Sequence, residues 1–326
     1  MPRPHRYVTE EPHIPFELDV LYEDERIIVV DKPHFLATMP RGMWYRQTAL
    51  IRLRERLGEP DITPAHRLDR MTAGVLVFVR DKASRGAYQM LFQNKQAAKV
   101  YECLAPCRPI ARPRYGTIEP IAPPRPFPLV RRSHITKLRG TMAAFEEPGT
   151  VNAETLIERG ERLMPVAPVR LPSHALYGVR ASACRFETTP VRQDHSGLPG
   201  DAGDADIAGL AGISRIAGIS RLVDASRIAG LEDGIHADAA GSMTCRYTLH
   251  PRTGKTHQLR VHMNSLGLPI VGDDFYPRIE TRAYDDFSRP LQLVARRLAF
   301  IDPITDEPRE FVSRVPLQAA SCRRHP

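Results

Sequence analysis

Hydrophobic positions change their period several times along the chain, and each change marks an element. Leu18 to Tyr22 and Arg26 to Val30 read as two short strands around the acidic turn Glu23-Asp24-Glu25, the second rich in β-branched residues. Pro33 then stops the strand. Beyond it the period lengthens: Leu50, Leu53 and Leu57 fall at i, i+3 and i+7, with Thr48 placed to cap a helix and Gly58 to stop it. Arg52, Arg54 and Arg56 alternate along that helix and so point to several faces. A polar loop, His66-Arg67-Leu68-Asp69-Arg70, runs into the nearly continuous apolar stretch Gly74 to Val79, short enough for a strand buried on both faces. The pattern predicts a second helix over Ala83 to Phe92 and a period-two strand over Lys99 to Leu104.

From Pro106 to Pro128 prolines recur too often for a helix or central strand, which leaves an extended connection or edge segments. Strand-like pieces resume at Leu129 to Leu138 and Ala181 to Glu187. Residues Gln193 to Ser242 differ in kind. They hold nine of the 21 glycines, no aromatic residue, and the near-tandem Ala211-Gly212-Ile213-Ser214-Arg215-Ile216 and Ala217-Gly218-Ile219-Ser220-Arg221-Leu222, too few copies for a solenoid core, so a flexible low-complexity insertion is expected. Thr244 to Leu249 reads as a strand. Thr256 to Leu266 reads as a helix with Leu259, Met263 and Leu266 on one stripe and Gly267 closing it, and Pro269 to Val271 as a short strand. Strands in hairpin-like succession outnumber helices, which points to an α+β domain with a largely antiparallel sheet.

Composition adds a partner. The 326 residues are 42% hydrophobic, enough for a core, and carry 46 Lys+Arg against 38 Asp+Glu, a formal charge of +8. Of the 46 cations 40 are arginine, the planar fork that suits phosphate and stacks on bases. No apolar run approaches the roughly 20 residues of a membrane-spanning helix, and Met1 to Glu10 has no signal-like apolar core, so a cytoplasmic protein is expected. The five cysteines (Cys103, Cys107, Cys184, Cys245, Cys322) are odd in number and contain no C-x-x-C pair, so reduced thiols without metal are expected.

Two segments concentrate polar groups that a core would reject. In His66 to Arg70, close cations would hold Asp69 as an ionised carboxylate, as a nucleophile or base requires; a structural ion pair or loop cap reads the same way. The second segment, Arg252 to His262, places Gly254 and Lys255 ahead of a helix start, a setting that suits phosphate. Its Gly-Lys-Thr triplet is not a nucleotide-binding loop, because Leu249 stands where the first glycine belongs. His257 and His262 lie five apart, on different faces, with no acidic ligand at metal spacing.

Taken in order, His66-Arg67-Leu68-Asp69 with Thr72-Ala73-Gly74, Lys99-Val100-Tyr101, and Thr253 to His262 with Gly272-Asp273 resemble the motifs of the RluA-type RNA pseudouridine synthases. Leu21 to Asp24 and Val30 to Pro33 are similar to that family's opening, so the likeness runs from about Leu18 to Tyr276. The resemblance implies a central, mainly antiparallel sheet flanked by helices. It also implies isomerisation of uridine to pseudouridine in structured RNA, without cofactor or metal. Asp69 matches the catalytic aspartate, acting on the ribose C1′, the uracil C6 or a glycal route. Arg260 matches the arginine that pairs with it, and Tyr101 the active-site tyrosine that stacks on the base and is a candidate to handle a proton, though a core aromatic on a strand would look alike. Arg67 matches the residue that fills the gap left by the flipped nucleotide, and Leu259 a wall of the pocket. His66, Leu68, Arg70, Lys255 and His257 are the remaining expected RNA-contacting positions.

Ala73 stands where the family usually has serine, and Lys255 where arginine is more usual. The expected organisation is a loose arm over 1–17, a catalytic domain over 18–316 that contains the 193–242 insertion, and a tail over 317–326. With no small RNA-binding domain ahead of Leu18, substrate choice would fall to the catalytic domain and extensions such as Pro106 to Pro128. The expected substrate is ribosomal RNA and the expected state a monomer. The alternatives are a tRNA target, a non-catalytic RNA-binding or chaperoning protein, and a carboxylate nucleosidase or glycosidase, for which no second positioned acid is found. The insertion carries eight acidic and three basic residues, so the rest of the chain holds +13.

Overall fold

The computed structural model describes residues 11–163 and 243–318, so the expected insertion, the strand at 181–187, and most of the tail lie outside the described residues. The chain enters through β1 (Asp19–Glu23) and β2 (Ile27–Lys32), an antiparallel pair, the latter wholly buried. Residues 11–17, expected as part of a loose arm, are packed instead. Glu11 accepts hydrogen bonds from the backbone N–H groups of Tyr45, Arg46 and Gln47, and Ile14 is 1% exposed.

Helix α1 (Ala49–Leu57) begins and ends where its punctuation dictates. The Thr48 hydroxyl accepts from the Ile51 N–H, and Gly58 turns left-handed (φ 69°) and returns its N–H to the Arg54 carbonyl. Its arginines tie down the entering chain, Arg52 donating to the Ile14 and Phe16 carbonyls and Arg56 to that of Leu18. After β3 (Thr63–Pro64), the apolar run forms β4 (Ala73–Val79), every residue of which is buried. Alternation along β2 and β4 divides the packing. Ile28, Val30, Leu76 and Phe78 meet Leu50 and Leu53 of α1, whereas Ile27, Val29, Val75, Val77 and Val79 meet Tyr88 and Leu91 of α2 (Arg85–Gln93). The two helices therefore cover opposite faces, which is why the strands read as continuously hydrophobic.

Then follow β5 (Ala98–Pro106), β6 (Thr117–Pro120), β7 (Leu129–Thr136), β8 (Phe145–Glu147), β9 (Ala153–Leu163), β10 (Thr244–Pro251), α3 (Gln258–Ser265), β11 (Leu293–Ile301) and β12 (Pro308–Val312). The main path of the sheet is β1-β2-β4-β11-β5-β10-β9-β7-β6. All its pairings are antiparallel except β4 with β11, which confirms the α+β, mainly antiparallel expectation. The proline-rich stretch supplies only the short β6 at the edge of that path. Leu259, Met263 and Leu266 of the α3 region pack with Cys103, Tyr247 and Leu249, and Tyr101 lies at the seam between this cluster and that of α1.

Two expectations are corrected. Pro269 to Val271 is no strand: among the described residues, the regular ladder gives way there to Val271 alone, its N–H donating to the Leu104 carbonyl and its own carbonyl accepting from Gln292. Cys107 and Cys245 are not both free thiols but a disulfide with 5.0 Å between Cα atoms across 138 residues. The β5–β10 register causes this, because Cys245 lies opposite Ala105 and the Cys107 N–H extends the ladder to the Met243 carbonyl. Cys103 is a buried thiol. No helix among the described residues is long and apolar enough to cross a membrane.

Gly74 has φ +115°, and a Cβ there would run into the backbone of Ala295 on β11. Gly74→Ala should therefore cost about 3 kcal/mol or more, measured as a lower urea midpoint with unchanged slope. A second expectation concerns acid. Burial lowers His34 to about 4, and burial followed by the charge of Arg131 lowers His262 to about 3. Below the ordinary histidine range near 6.5 the unfolded chain binds protons that the folded chain refuses, so stability falls as pH drops from about 6.5 towards 4. Thermal unfolding at pH 7 and pH 5 should show the loss, and His262→Gln should lessen its steepness.

Candidate active site

The site is assembled across the middle of the sheet. Gly74 on β4 pairs with Ala295, which pairs with Tyr101 on β5, which pairs with Leu249 on β10. This lateral row brings the loop ahead of β4, the Tyr101 ring and the helix after β10 to one place.

Asp69 lies in that loop, its side chain 38% exposed, and among the described residues its carboxylate receives no hydrogen bond. The backbone around it is fixed. Thr72 N–H donates to the Asp69 carbonyl at 3.1 Å, and the Thr38 hydroxyl donates to the Leu68 carbonyl at 2.8 Å and accepts from the Leu68 N–H at 3.1 Å. Beneath the loop, fully buried Lys32 donates to the carbonyls of Pro33, Leu36 and Arg70 at 2.9, 2.7 and 3.2 Å. Burial lowers Lys32 to about 7, with the nearby charge of Asp69 opposing the shift. His34 Nδ1 donates to the Met71 carbonyl at 2.9 Å.

The neighbours of Asp69 in sequence diverge. His66 turns inward, where its Nε2 accepts from the Val77 N–H at 3.3 Å and its ring lies 4.3 Å from that of Phe92; burial, then Lys99, push it well below the ordinary histidine value. Leu68 is buried with the α1 cluster. Arg67 is exposed and makes no side-chain hydrogen bond or ion pair among the described residues. Arg70 lies over the Trp44 ring, 5.3 Å from its centroid. Burial, then the Asp69 charge, push Tyr101 upward, so its hydroxyl keeps its proton.

The α3 side supplies the rest. Lys255 is exposed, and its N–H donates to Gln258 Oε1 at 3.1 Å. Gln258 in turn donates to the Glu154 carbonyl and the Thr155 hydroxyl, both at 2.9 Å, which fixes the helix start against β9. Helix α3 begins later than Thr256 because His257 adopts a left-handed backbone (φ 56°), unusual for a non-glycine residue. That conformation sends its ring to Asp69, with Nε2 3.9 Å from Oδ2, and to Tyr276, with Nδ1 3.1 Å from the hydroxyl. His262 is buried between the Ser133 and Thr155 hydroxyls at 3.0 and 2.9 Å. Leu259 lines the core below Tyr101.

Arg260 does not ion-pair with Asp69. Its Nε and Nη2 donate to Asp273 at 2.8 and 2.5 Å and Nη2 also to Asp274 at 2.9 Å, with Arg260 and Asp273 side chains 2% and 1% exposed. Its guanidinium lies 4.8 and 5.4 Å from the rings of Phe275 and Tyr276. Burial alone would lower Arg260, but Asp273, then Asp69 and Asp274, carry it above the ordinary arginine value. The attraction to Asp69 is thus through space. Sequence reasoning missed Lys32, Thr38, Asp274 and Tyr276. Lys32 stood within the opening similarity Val30 to Pro33, and Asp273, next to Gly272, within the last motif, but neither was given a role.

Residues 26–265 match the family model described as RNA pseudouridylate synthase. Over 286 residues the chain is 27% identical to the dual-specificity RNA pseudouridine synthase RluA of Vibrio parahaemolyticus, covering 87% of this chain and 78% of the relative. For RluA of Haemophilus influenzae the identity is 25% over 295 residues, 90% of this chain and 91% of the relative. The tRNA pseudouridine(31) synthase of Saccharomyces cerevisiae is 32% identical over 83 residues, 26% of this chain and 20% of that protein. Among solved structures, human RNA Pseudouridylate Synthase Domain Containing 1 aligns with a TM-score of 0.49 and 20% identity, over 93% of this chain and 86% of its own.

Asp273→Asn leaves the buried guanidinium one charged partner short. It should lower stability by about 3 kcal/mol, read from chemical denaturation, even though Asp274 remains.

Proposed function

Because the chain belongs to the RNA pseudouridylate synthase family, and so is an enzyme that isomerises uridine to pseudouridine in RNA, we propose that Asp69 is its catalytic carboxylate. The observation that carries this is the asymmetry among the carboxylates of the site. Asp273 and Asp274 are consumed by Arg260, whereas Asp69, beside them in the same positive field, is accessible and takes no hydrogen bond from the described residues. A carboxylate so exposed keeps its lone pairs for the nucleotide, whether it bonds to C1′ or C6 or assists a glycal route.

In this reading Tyr101 stacks on the extruded uracil and Leu259 supports that ring from below. Arg67, unpaired and exposed, fills the space that the flipped nucleotide leaves, and offsets part of the few kcal/mol that extrusion costs. Lys255 contacts phosphate, while Arg70 and Arg260 hold the loop and the field around Asp69. His66, turned to Phe92 and the β4 backbone, supports the loop from inside. Residues 18–316 form the catalytic domain, which acts in the cytoplasm. The +13 outside the 193–242 segment suits a folded polyanion, so binding should weaken as salt rises. The target is ribosomal RNA. A tRNA target is the second reading, favoured by the match to the yeast tRNA pseudouridine(31) synthase.

Tritium release from RNA labelled at uridine C5 tests the assignment. The wild-type protein should release tritium from total cellular RNA, and Asp69→Asn should reduce release to background. A variant that releases tritium at the wild-type rate would remove Asp69 from the chemistry.

A further inference from the structure

Tyr276 has one hydroxyl proton and two lone pairs, and three contacts share them. Its oxygen accepts from the Ala144 N–H at 2.9 Å, and its proton goes to the Ala144 carbonyl at 2.7 Å, which satisfies both backbone groups of a residue 1% exposed. The third contact, His257 Nδ1 at 3.1 Å, meets only the remaining lone pair, so Nδ1 must carry the imidazole hydrogen. The opposite tautomer would take the Tyr276 proton from the Ala144 oxygen, leaving a buried carbonyl unpaired at a cost of about 1–3 kcal/mol. In the neutral ring Nε2 is therefore a bare acceptor, and Nε2 is the nitrogen that faces Asp69 at 3.9 Å.

With the Asp69 carboxylate committed to the nucleotide in the reading above, the other surrounding groups leave this nitrogen as the proton acceptor. Tyr101 is held in its protonated form by burial and by Asp69. Lys137, at the end of the β7–β8 hairpin, spends its ammonium on the carbonyls of Thr141 and Met142. Arg260 has no lone pair to offer. Burial lowers His257 and keeps it neutral; Asp69 and Asp273 oppose the shift, while Arg260 and Lys137 reinforce it.

Resting on the reading of Asp69 as the catalytic carboxylate, we propose that His257 is a second catalytic residue, the base whose Nε2 removes the C5 proton of the reattached uracil. Once C5 has bonded to C1′, it carries both that bond and its hydrogen. When the proton moves to Nε2, the C–H electron pair restores the C5–C6 double bond. On the C1′ and glycal routes the displaced C6–N1 pair falls on N1, which takes up a proton; on the C6 route the bond from Asp69 to C6 breaks and its pair leaves with the carboxylate, N1 having taken its proton when its bond to C1′ broke. One proton leaves C5 and one arrives at N1 on every route open to Asp69, so no co-reactant is needed. The imidazolium formed in between faces the Asp69 carboxylate, which stabilises it.

His257→Gln keeps a polar side chain without the base. Single-turnover pseudouridine formation at saturating enzyme should fall by about 10²–10⁴-fold, the range typical for loss of a positioned general base. The wild-type rate should rise with pH through a step below the ordinary histidine value near 6.5, and that step should vanish in the variant. RNA carrying 5-fluorouridine at the target has no C5 proton to lose, so the variant should rearrange it as fast as the wild type does. Equal loss on both substrates, or undiminished pseudouridine formation, would overturn the proposal. Asp69→Asn, run alongside, separates the two claims. It should fail on both substrates, and if it makes pseudouridine at the wild-type rate the reading of Asp69 falls first, and this proposal with it.

Discussion

A buried guanidinium organises the site. Arg260 is almost sealed from solvent, so every one of its contacts must come from protein, and the chain supplies two carboxylates and two aromatic rings from the four consecutive residues Asp273 to Tyr276. Desolvating such a group costs several kcal/mol, which a single surface-type ion pair would not offset. The bidentate bonds to Asp273 and the third bond to Asp274 do so only in one geometry, and this fixes helix α3 against the turn that follows it. Asp273 repeats the economy in its own backbone, because its Oδ1 also accepts from the N–H groups of Phe275 and Tyr276 at 2.8 and 3.0 Å. With that turn fixed, the Tyr276 hydroxyl reaches Ala144 and pins the β7–β8 hairpin, and the positive centre stands behind Asp69 without consuming it.

The sheet sets the other half of the geometry. Asp69 is five residues before Gly74, and Gly74 is the point at which β4 and β11 approach too closely for any Cβ. Tyr101 is the next position across on β5. The reacting groups are therefore placed by backbone register, and the loop between them is held by Thr38 and Lys32 through its carbonyl and N–H groups. A loop tied at its main chain leaves its side chains free to face a ligand, which is how Arg67 and Asp69 remain uncommitted within a well-packed frame.

Local features of the fold were legible in the sequence, and non-local ones were not. Helix α1 could be read to the residue, because Thr48 and Gly58 act within one turn of the backbone they cap. The buried character of β4 was plain from its composition. The insertion of β11 between β4 and β5 was not, since nothing near Leu293 states which of several apolar strands it will join. Pro269 to Val271 looked like a strand and is only one bridging residue, and Cys107 meets Cys245 through a ladder that spacing does not reveal. At the site, residue types were legible and partners were not. Arg260 was expected to pair with Asp69, yet two aspartates 13 and 14 residues on outcompete it through proximity and burial. His257 stood out only as a motif member, because its role follows from a left-handed backbone and a tyrosine proton, neither of which a sequence displays.

The most direct test of the account is a map of pseudouridine positions in cellular RNA. A strain lacking this chain is compared with the same strain carrying either the wild-type protein or Asp69→Asn at equal abundance. At least one uridine should lose its modification in the deletion, regain it with the wild type, and stay unmodified with Asp69→Asn. Restoration by Asp69→Asn would contradict the account.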